Sequence, residues 1–291
     1  MCLQISLKFI NSAILVLLLL SGCGGNMPAP ISEAPTDSAL PEPLTPSPIQ
    51  PTITPGSTAT PESTFRILFI GNSLTYSNEG LDYHLNQLVG SSNLPNSIEA
   101  ESVVRPGATL ESLWVATNAR EAINEGNYDV VVLQEDLPET EVETFYEYAR
   151  KFIAEIEKVG AEPVLFMAWP YERLGWITMD EIAQAHFGVA KELGVDVAPV
   201  GLAMEQAMKE RPEIDMLAGD AEHPSIYGTY LAVNTVYATI FGESPVGLVY
   251  LPPESYYLLS NGEVVRDVTD EQAAFLQRIA WEIVQEYRAQ K

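Results

Sequence analysis

From Phe65 onward, short runs of uninterrupted apolar residues alternate with longer stretches in which apolar positions recur every three or four residues. Phe65-Arg66-Ile67-Leu68-Phe69-Ile70 is one such run, closed by Gly71. Asp129-Val130-Val131-Val132-Leu133-Gln134 and Pro163-Val164-Leu165-Phe166-Met167-Ala168 repeat it, and Ser97–Val103 and Val195–Val200 are more polar versions. Runs of this length without polar alternation predict strands buried on both faces. Leu81–Leu88, Leu110–Glu125, Thr140–Val159, Met179–Leu193, Tyr227–Phe241 and Asp270–Ala289 carry the helical period instead. In Thr140–Val159 the apolar face is Phe145, Tyr148, Phe152, Ile156 and Val159, with acidic residues opposite. Buried strands separated by helices predict an α/β protein, a three-layer α/β/α sandwich around a mainly parallel sheet. No internal repeat interrupts it, so residues 65–291 are read as one domain.

The N-terminal part has a different texture. Lys8 is the only basic residue before Arg66, and the apolar run Ala13–Leu20 follows it. A bilayer span needs about 20 apolar residues, whereas a signal-peptide core needs roughly 7–15. The run ends in Leu20-Ser21-Gly22-Cys23, which resembles the lipobox of bacterial lipoproteins. That resemblance implies a signal peptide over residues 1–22, lipidation of Cys23, and an exported protein held on the outer side of a membrane. Stable anchoring takes two lipid signals, and the resemblance implies a multiply acylated cysteine. Only Cys2 and Cys23 occur, so no disulfide is available to the domain. Residues 23–64 form a tether. Its Gly24–Thr64 stretch holds ten prolines and no aromatic residue, Lys or Arg. Such a segment favours extended polyproline II, with a reach on the order of 100 Å at about 3.1 Å per residue.

Charge narrows the partners. With 40 acidic and 15 basic residues the formal charge is −25, which repels phosphate backbones and excludes nucleic acid as a natural partner. A neutral or cationic substrate is the easier fit, although the charge also serves solubility alone.

In a parallel sheet, ligands gather at the carboxyl ends of the strands. Ile70-Gly71-Asn72-Ser73-Leu74-Thr75 lies directly after the first strand, placing Ser73 at a helix start where free N–H groups face outward. Ser there is also an ordinary N-cap. Gly219-Asp220-Ala221-Glu222-His223-Pro224-Ser225 precedes a closing helix, and Asp220 can turn back to orient the imidazole of His223. His84 and His186, the other two histidines, fall inside helices as surface or packing residues.

Together the two segments resemble the SGNH, or GDSL-like, hydrolase family, with its Gly-Asp-Ser or Gly-Asn-Ser turn after the first strand and Asp-x-x-His before a C-terminal helix. The resemblance spans essentially all of Phe65–Lys291 and implies a flavodoxin-like fold and a Ser73–His223–Asp220 triad. It also implies an oxyanion hole from the N–H groups of Ser73 and Gly107, the glycine of Val103-Val104-Arg105-Pro106-Gly107 after the second strand. The family's third block, Gly-x-Asn-Asp, reads Leu133-Gln134-Glu135-Asp136 here. The Gln134 carboxamide is the expected substitute donor; a strand-end polar residue is the other reading. Trp169 and Tyr171, just after a strand, either line the cleft for a sugar ring or acyl chain or pack the loop, and Trp176 belongs to the same cluster.

The expected activity is hydrolysis of carboxylic esters, with O-acetyl groups of glycans as a candidate substrate and no metal or cofactor required. An acyltransferase and a non-catalytic surface binding module are the alternatives. The Gly-x-Ser-x-Gly elbow is excluded because Thr75 occupies the second glycine position. Neither a dinucleotide fingerprint nor a P-loop follows the first strand.

Overall fold

The computed structural model describes residues 64–94, 97–171, 173–253 and 267–291, together with 257–258, 262 and 264–265. The leader, Cys23 and the tether as far as residue 63 lie outside the described residues. The domain falls within one compact unit, Thr58–Lys291.

Five strands, β1 (Phe65–Gly71), β2 (Ile98–Val104), β3 (Val130–Gln134), β4 (Glu162–Phe166) and β5 (Asp196–Ala198), form an all-parallel sheet in the order β2-β1-β3-β4-β5. Ile67, Leu68, Phe69 and Ile70 of β1 are at most 1% exposed, and all of β3 is buried. Burying side chains of this size is worth about 1.5–3 kcal/mol each. That is why continuous apolar runs, rather than alternating ones, occupy the centre of the sheet.

The helices are α1 (Ser73–Tyr76), α2 (Leu81–Gly90), α3 (Leu110–Ala116), α4 (Ala119–Glu125), α5 (Val142–Lys158), α6 (Met179–Leu193), α7 (Val200–Glu210), α8 (Ile226–Phe241) and α9 (Asp270–Gln290). On one side α2, α8 and α9 pack together; α3, α4, α5 and α6 pack in sequence as a second group. The helix α8 is buried nearly all round, which explains its almost unbroken apolar sequence. Tyr257–Leu258 and Val264–Val265 pair as a separate antiparallel ladder.

Three differences from the sequence reading have physical causes. The segment expected as one helix over Leu110–Glu125 divides at Thr117, whose hydroxyl donates to Leu113 O (2.5 Å) and accepts from Ala119 N (3.2 Å). The side chain thus competes with the helical ladder. The strand expected over Val195–Val200 stops at Ala198 because Pro199 has no N–H to donate and instead begins α7. Val159, expected on the buried face of α5, is the residue that ends the helix and is 40% exposed.

The strand order reverses between β1 and β3, which makes their carboxyl ends the natural ligand position of this topology.

Candidate active site

The turn after β1 is built around Asn72, which is 1% exposed. Its backbone N–H donates to Gln134 Oε1 (2.7 Å), and its Oδ1 accepts from Leu74 N (2.9 Å) as the N-cap of α1. Its Nδ2 donates to Asp136 Oδ2 (3.0 Å) and Ala108 O (3.3 Å). Gly71 is needed for close approach: a Cβ there would collide with Thr75 Oγ1 and stand 2.7 Å from Gln134 Oε1. The outcome is that Ser73, the first residue of α1, is held partly exposed at the end of the strand.

His223 arrives from 150 residues away, and its Nε2 lies 2.8 Å from Ser73 Oγ. Its Nδ1 lies 2.7 Å from Asp220 Oδ2, while Asp220 Oδ1 accepts from the N–H groups of His223 (3.0 Å) and Glu222 (3.1 Å). A carboxylate only accepts, so Nδ1 carries the proton and Nε2 is free to accept from the serine hydroxyl. Ala221, between these residues, holds φ +57°, a conformation that tightens the loop and costs a non-glycine residue energy. Partial burial pushes the Asp220 carboxyl up, but hydrogen bonds from the His223 ring and from the two backbone N–H groups outweigh it. The carboxyl is left below its ordinary range. Asp220 is nonetheless half exposed, at 52% of its side chain.

The histidine loop is fastened to the serine loop. Asn78, at φ +57°, donates from Nδ2 to Pro224 O (3.0 Å) and Thr229 Oγ1 (2.7 Å). Buried His84 donates from Nε2 to Asn78 O (2.5 Å), and its Nδ1 pairs with Tyr250 Oη (2.7 Å). Burial holds the His84 imidazole below its usual value, against the pull of Asn78 O and of Glu79 and Asp82. His186 is buried in α6, and burial lowers it to about 4. Both are packing histidines, neither on the surface.

Gly107 has φ +56°, is exposed, and no hydrogen bond engages its N–H among the described residues; the same holds for the N–H of Ser73. The Gly107 loop is brought alongside the serine turn by Arg105 N donating to Gly71 O (3.1 Å) and by the Asn72–Ala108 bond. Two unengaged donors beside a serine–histidine pair suit a developing oxyanion.

Gln134, the expected side-chain donor, faces the interior of the turn. It is 1% exposed, its Oε1 accepts from Asn72 N and Thr75 Oγ1, and its Nε2 donates to Glu135 O (2.8 Å). The carboxamide clamps the serine turn from beneath. The aromatic expectations need correcting as well. Trp169 and Tyr171 are each 2% exposed and offer no face to a cleft. The Trp169 indole donates to Glu222 O (3.0 Å), bracing the residue before His223, and Tyr171 Oη donates to Asp136 Oδ1 (2.7 Å). Apolar loop packing, with the polar atoms satisfied, accounts for both.

Glu135 and Asp136 had no role in the sequence reading. Glu135 is fully buried and accepts from Leu110 N through both oxygens (3.2 Å each), from Asp136 N (2.7 Å) and from Thr140 Oγ1 (3.2 Å). Burial pushes it up to about 7. Burial also pushes Asp136 up to about 6, partly offset by the Tyr171 hydroxyl. Their signal in the sequence was three consecutive polar residues closing a fully buried strand.

No protein-family model matches the chain, and the search of curated proteins finds no match. Solved structures do match it. A candidate SGNH hydrolase from Slackia heliotrinireducens is 26% identical with a TM-score of 0.52, covering 61% of this chain and 100% of that one. A DUF4886 family protein from Bacteroides uniformis is 15% identical with a TM-score of 0.57, covering 77% and 95%. An acetylxylan esterase from Geobacillus stearothermophilus, solved as a catalytic mutant, is 17% identical with a TM-score of 0.50, covering 60% and 94%.

Proposed function

We propose that this SGNH-like chain is a serine esterase, exported and held at a membrane through Cys23, that removes acyl groups from carboxylic esters. Acetyl groups on glycan hydroxyls are the substrate class we favour. The observation that carries the reading is the Ser73–His223–Asp220 relay, with hydrogen bonds of 2.8 and 2.7 Å assembled from segments far apart in sequence. A structural N-cap serine requires no imidazole on its hydroxyl. The acetylxylan esterase on the same fold supports the choice of substrate class, as does the absence of any charge on the acetyl ester that a −25 protein would repel.

In the proposed reaction Ser73 Oγ attacks the ester carbonyl carbon while its proton passes to His223 Nε2. The carbonyl oxygen becomes an oxyanion that accepts from the Ser73 and Gly107 N–H groups; losing one such donor typically costs about 2.7–4 kcal/mol. Asp220 holds the imidazole tautomer and stabilises the imidazolium. Collapse of the intermediate breaks the C–O bond to the alcohol, which leaves with the proton from His223. Water then attacks the acyl-serine with His223 as base, and carboxylic acid and free Ser73 are restored.

The test is hydrolysis of p-nitrophenyl acetate, butyrate and octanoate by the full chain beside Ser73→Ala, with fluorophosphonate labelling in parallel. We expect acetate to be the best of the three, with the rate falling at least a thousandfold in Ser73→Ala and the label lost with it. A folded protein that neither turns over any ester nor takes the label would refute the esterase and favour a binding module. Labelling without hydrolysis, relieved by an added alcohol acceptor, would point to a transferase.

A further inference from the structure

A cleft of about 700 Å³ opens beyond the end of β3, apart from Ser73, between the Leu137–Glu139 turn, the start of α5 and the start of α6. Its walls carry Trp176, Tyr146, Glu139, Glu141, Glu181 and Gln184, and no lysine or arginine lines it. Trp176 is 65% exposed, the largest exposed aromatic surface among the described residues. It does not hang freely, because its indole N–H donates to Pro138 O (2.9 Å). The one polar atom of the ring is therefore satisfied by the protein, and a flat apolar face is left pointing outward in a fixed orientation. Leaving so large an aromatic face in water forgoes burial worth a few kcal/mol.

The cleft is coupled to the histidine loop. Arg173 pairs with Glu139 (2.7 Å) on the cleft wall and with Glu222, the residue before His223. The cleft therefore flanks the catalytic loop instead of lying elsewhere on the molecule.

We infer that this cleft binds a sugar residue of a neutral oligosaccharide whose acylated unit lies at Ser73, an inference that rests on the esterase reading for the position of the ester. Sugar rings present an apolar C–H face that packs on an aromatic ring and a rim of hydroxyls that both donate and accept. Trp176 supplies the ring, and Tyr146, half-buried with Arg150 over its face, lines the wall. The exposed side chains of Glu141 and Gln184 make no hydrogen bond to the protein among the described residues and supply acceptors together with an amide donor. The carboxylates repel anionic ligands, so uronic-acid chains and phosphorylated glycans are excluded. A held aromatic face costs less ordering on binding than a mobile one.

The test uses full-length Ser73→Ala protein, so that ligand is not consumed, titrated with xylohexaose, cellohexaose and chitohexaose by tryptophan fluorescence and calorimetry. At least one should bind, and adding Trp176→Ala should weaken it at least tenfold, with Trp176→Phe recovering most of the loss. Gln184→Ala, at an exposed position, should weaken the same sugar several-fold. Exposed Val115→Ala, on α3, should change nothing. Absence of binding to all three sugars, or equal binding by the Trp176→Ala and Gln184→Ala proteins, overturns the inference. Chitosan hexaose, the cationic glucosamine hexamer, is titrated beside them, and binding of it alone would overturn the inference in favour of a cationic occupant. Because binding is read without turnover, a protein that binds sugar but hydrolyses no ester overturns only the esterase, and the reverse result overturns only the cleft.

Discussion

Glu135 is buried between the start of α3 and Thr140 in an environment that opposes its charge, and this gives a prediction with a definite slope. In the unfolded chain its carboxyl ionises near 4.5; in the folded protein burial moves that to about 7. Below the lower value both states hold the proton, and the group costs nothing. Between the two, the unfolded chain releases its proton while the folded protein keeps it, so stability falls as pH rises. The fall is complete above about 7. At 1.36 kcal/mol per pH unit the gap corresponds to about 3 kcal/mol. Glu135→Gln keeps one oxygen for Leu110 N, Asp136 N and Thr140 Oγ1 and cannot ionise. Its new amide donor in a buried position costs stability at every pH, about 1–3 kcal/mol. The diagnostic is therefore the difference in slope. Urea unfolding of both proteins at constant ionic strength, from pH 4.5 to 8, should show the wild type losing about 3 kcal/mol more than the variant. Asp136 contributes a fall of the same sign to both proteins and cancels. Two parallel profiles would refute the reasoning and mean that Glu135 is ionised in the folded protein at all these pH values.

Asp220→Asn should lower kcat/KM for p-nitrophenyl acetate about tenfold, the low end for losing a charge-assisted hydrogen bond, because water screens the half-exposed carboxylate. An unchanged rate would remove Asp220 from the relay. Cys23→Ala should leave ester hydrolysis intact but abolish incorporation of radiolabelled palmitate in a bacterial host and release the protein from the membrane fraction; palmitate retained in the variant would refute the anchor at that residue.

The parts of the molecule that were legible are those where one residue type has one physical use. The apolar runs of β1, β3 and β4 fit only a doubly covered sheet, and Gly71-Asn72-Ser73 and Asp220-Ala221-Glu222-His223 are segments that meet through the Ser73–His223 and His223–Asp220 contacts. What could not be read depended on a partner distant in sequence. Gln134 can face an oxyanion or the interior, and what turns it inward is Asn72 N donating to its oxygen and Glu135 O accepting from its amide nitrogen. Trp169 and Tyr171 have the composition of a binding loop, but their polar tips are taken up by Glu222 O and Asp136, so their rings point inward. Trp176, seven residues further on, is the one whose tip is held and whose face remains out. The helix α7 was legible in retrospect, since Val200, Ala203, Met204 and Ala207 keep helical spacing; the β-branched residues before Pro199 obscured it.

The asparagine of the first turn fits the aspartate that closes the third block, the position of that block at which this sequence keeps the family's residue. With Asp136 carried at the end of β3, residue 72 must donate to a carboxylate through its side chain while accepting from Leu74 N. Asparagine does both. An aspartate at position 72 would set two carboxylates about as close as the present 3.0 Å contact, in a site where Asp136 is already pushed up by burial. Asn72 gives both amide hydrogens to Asp136 and Ala108, and Gln134 gives one to Glu135 O from a site that is 1% exposed, so neither amide is turned outward. On the esterase reading, the Ser73 and Gly107 N–H groups are then the outward-facing donors that meet the oxyanion.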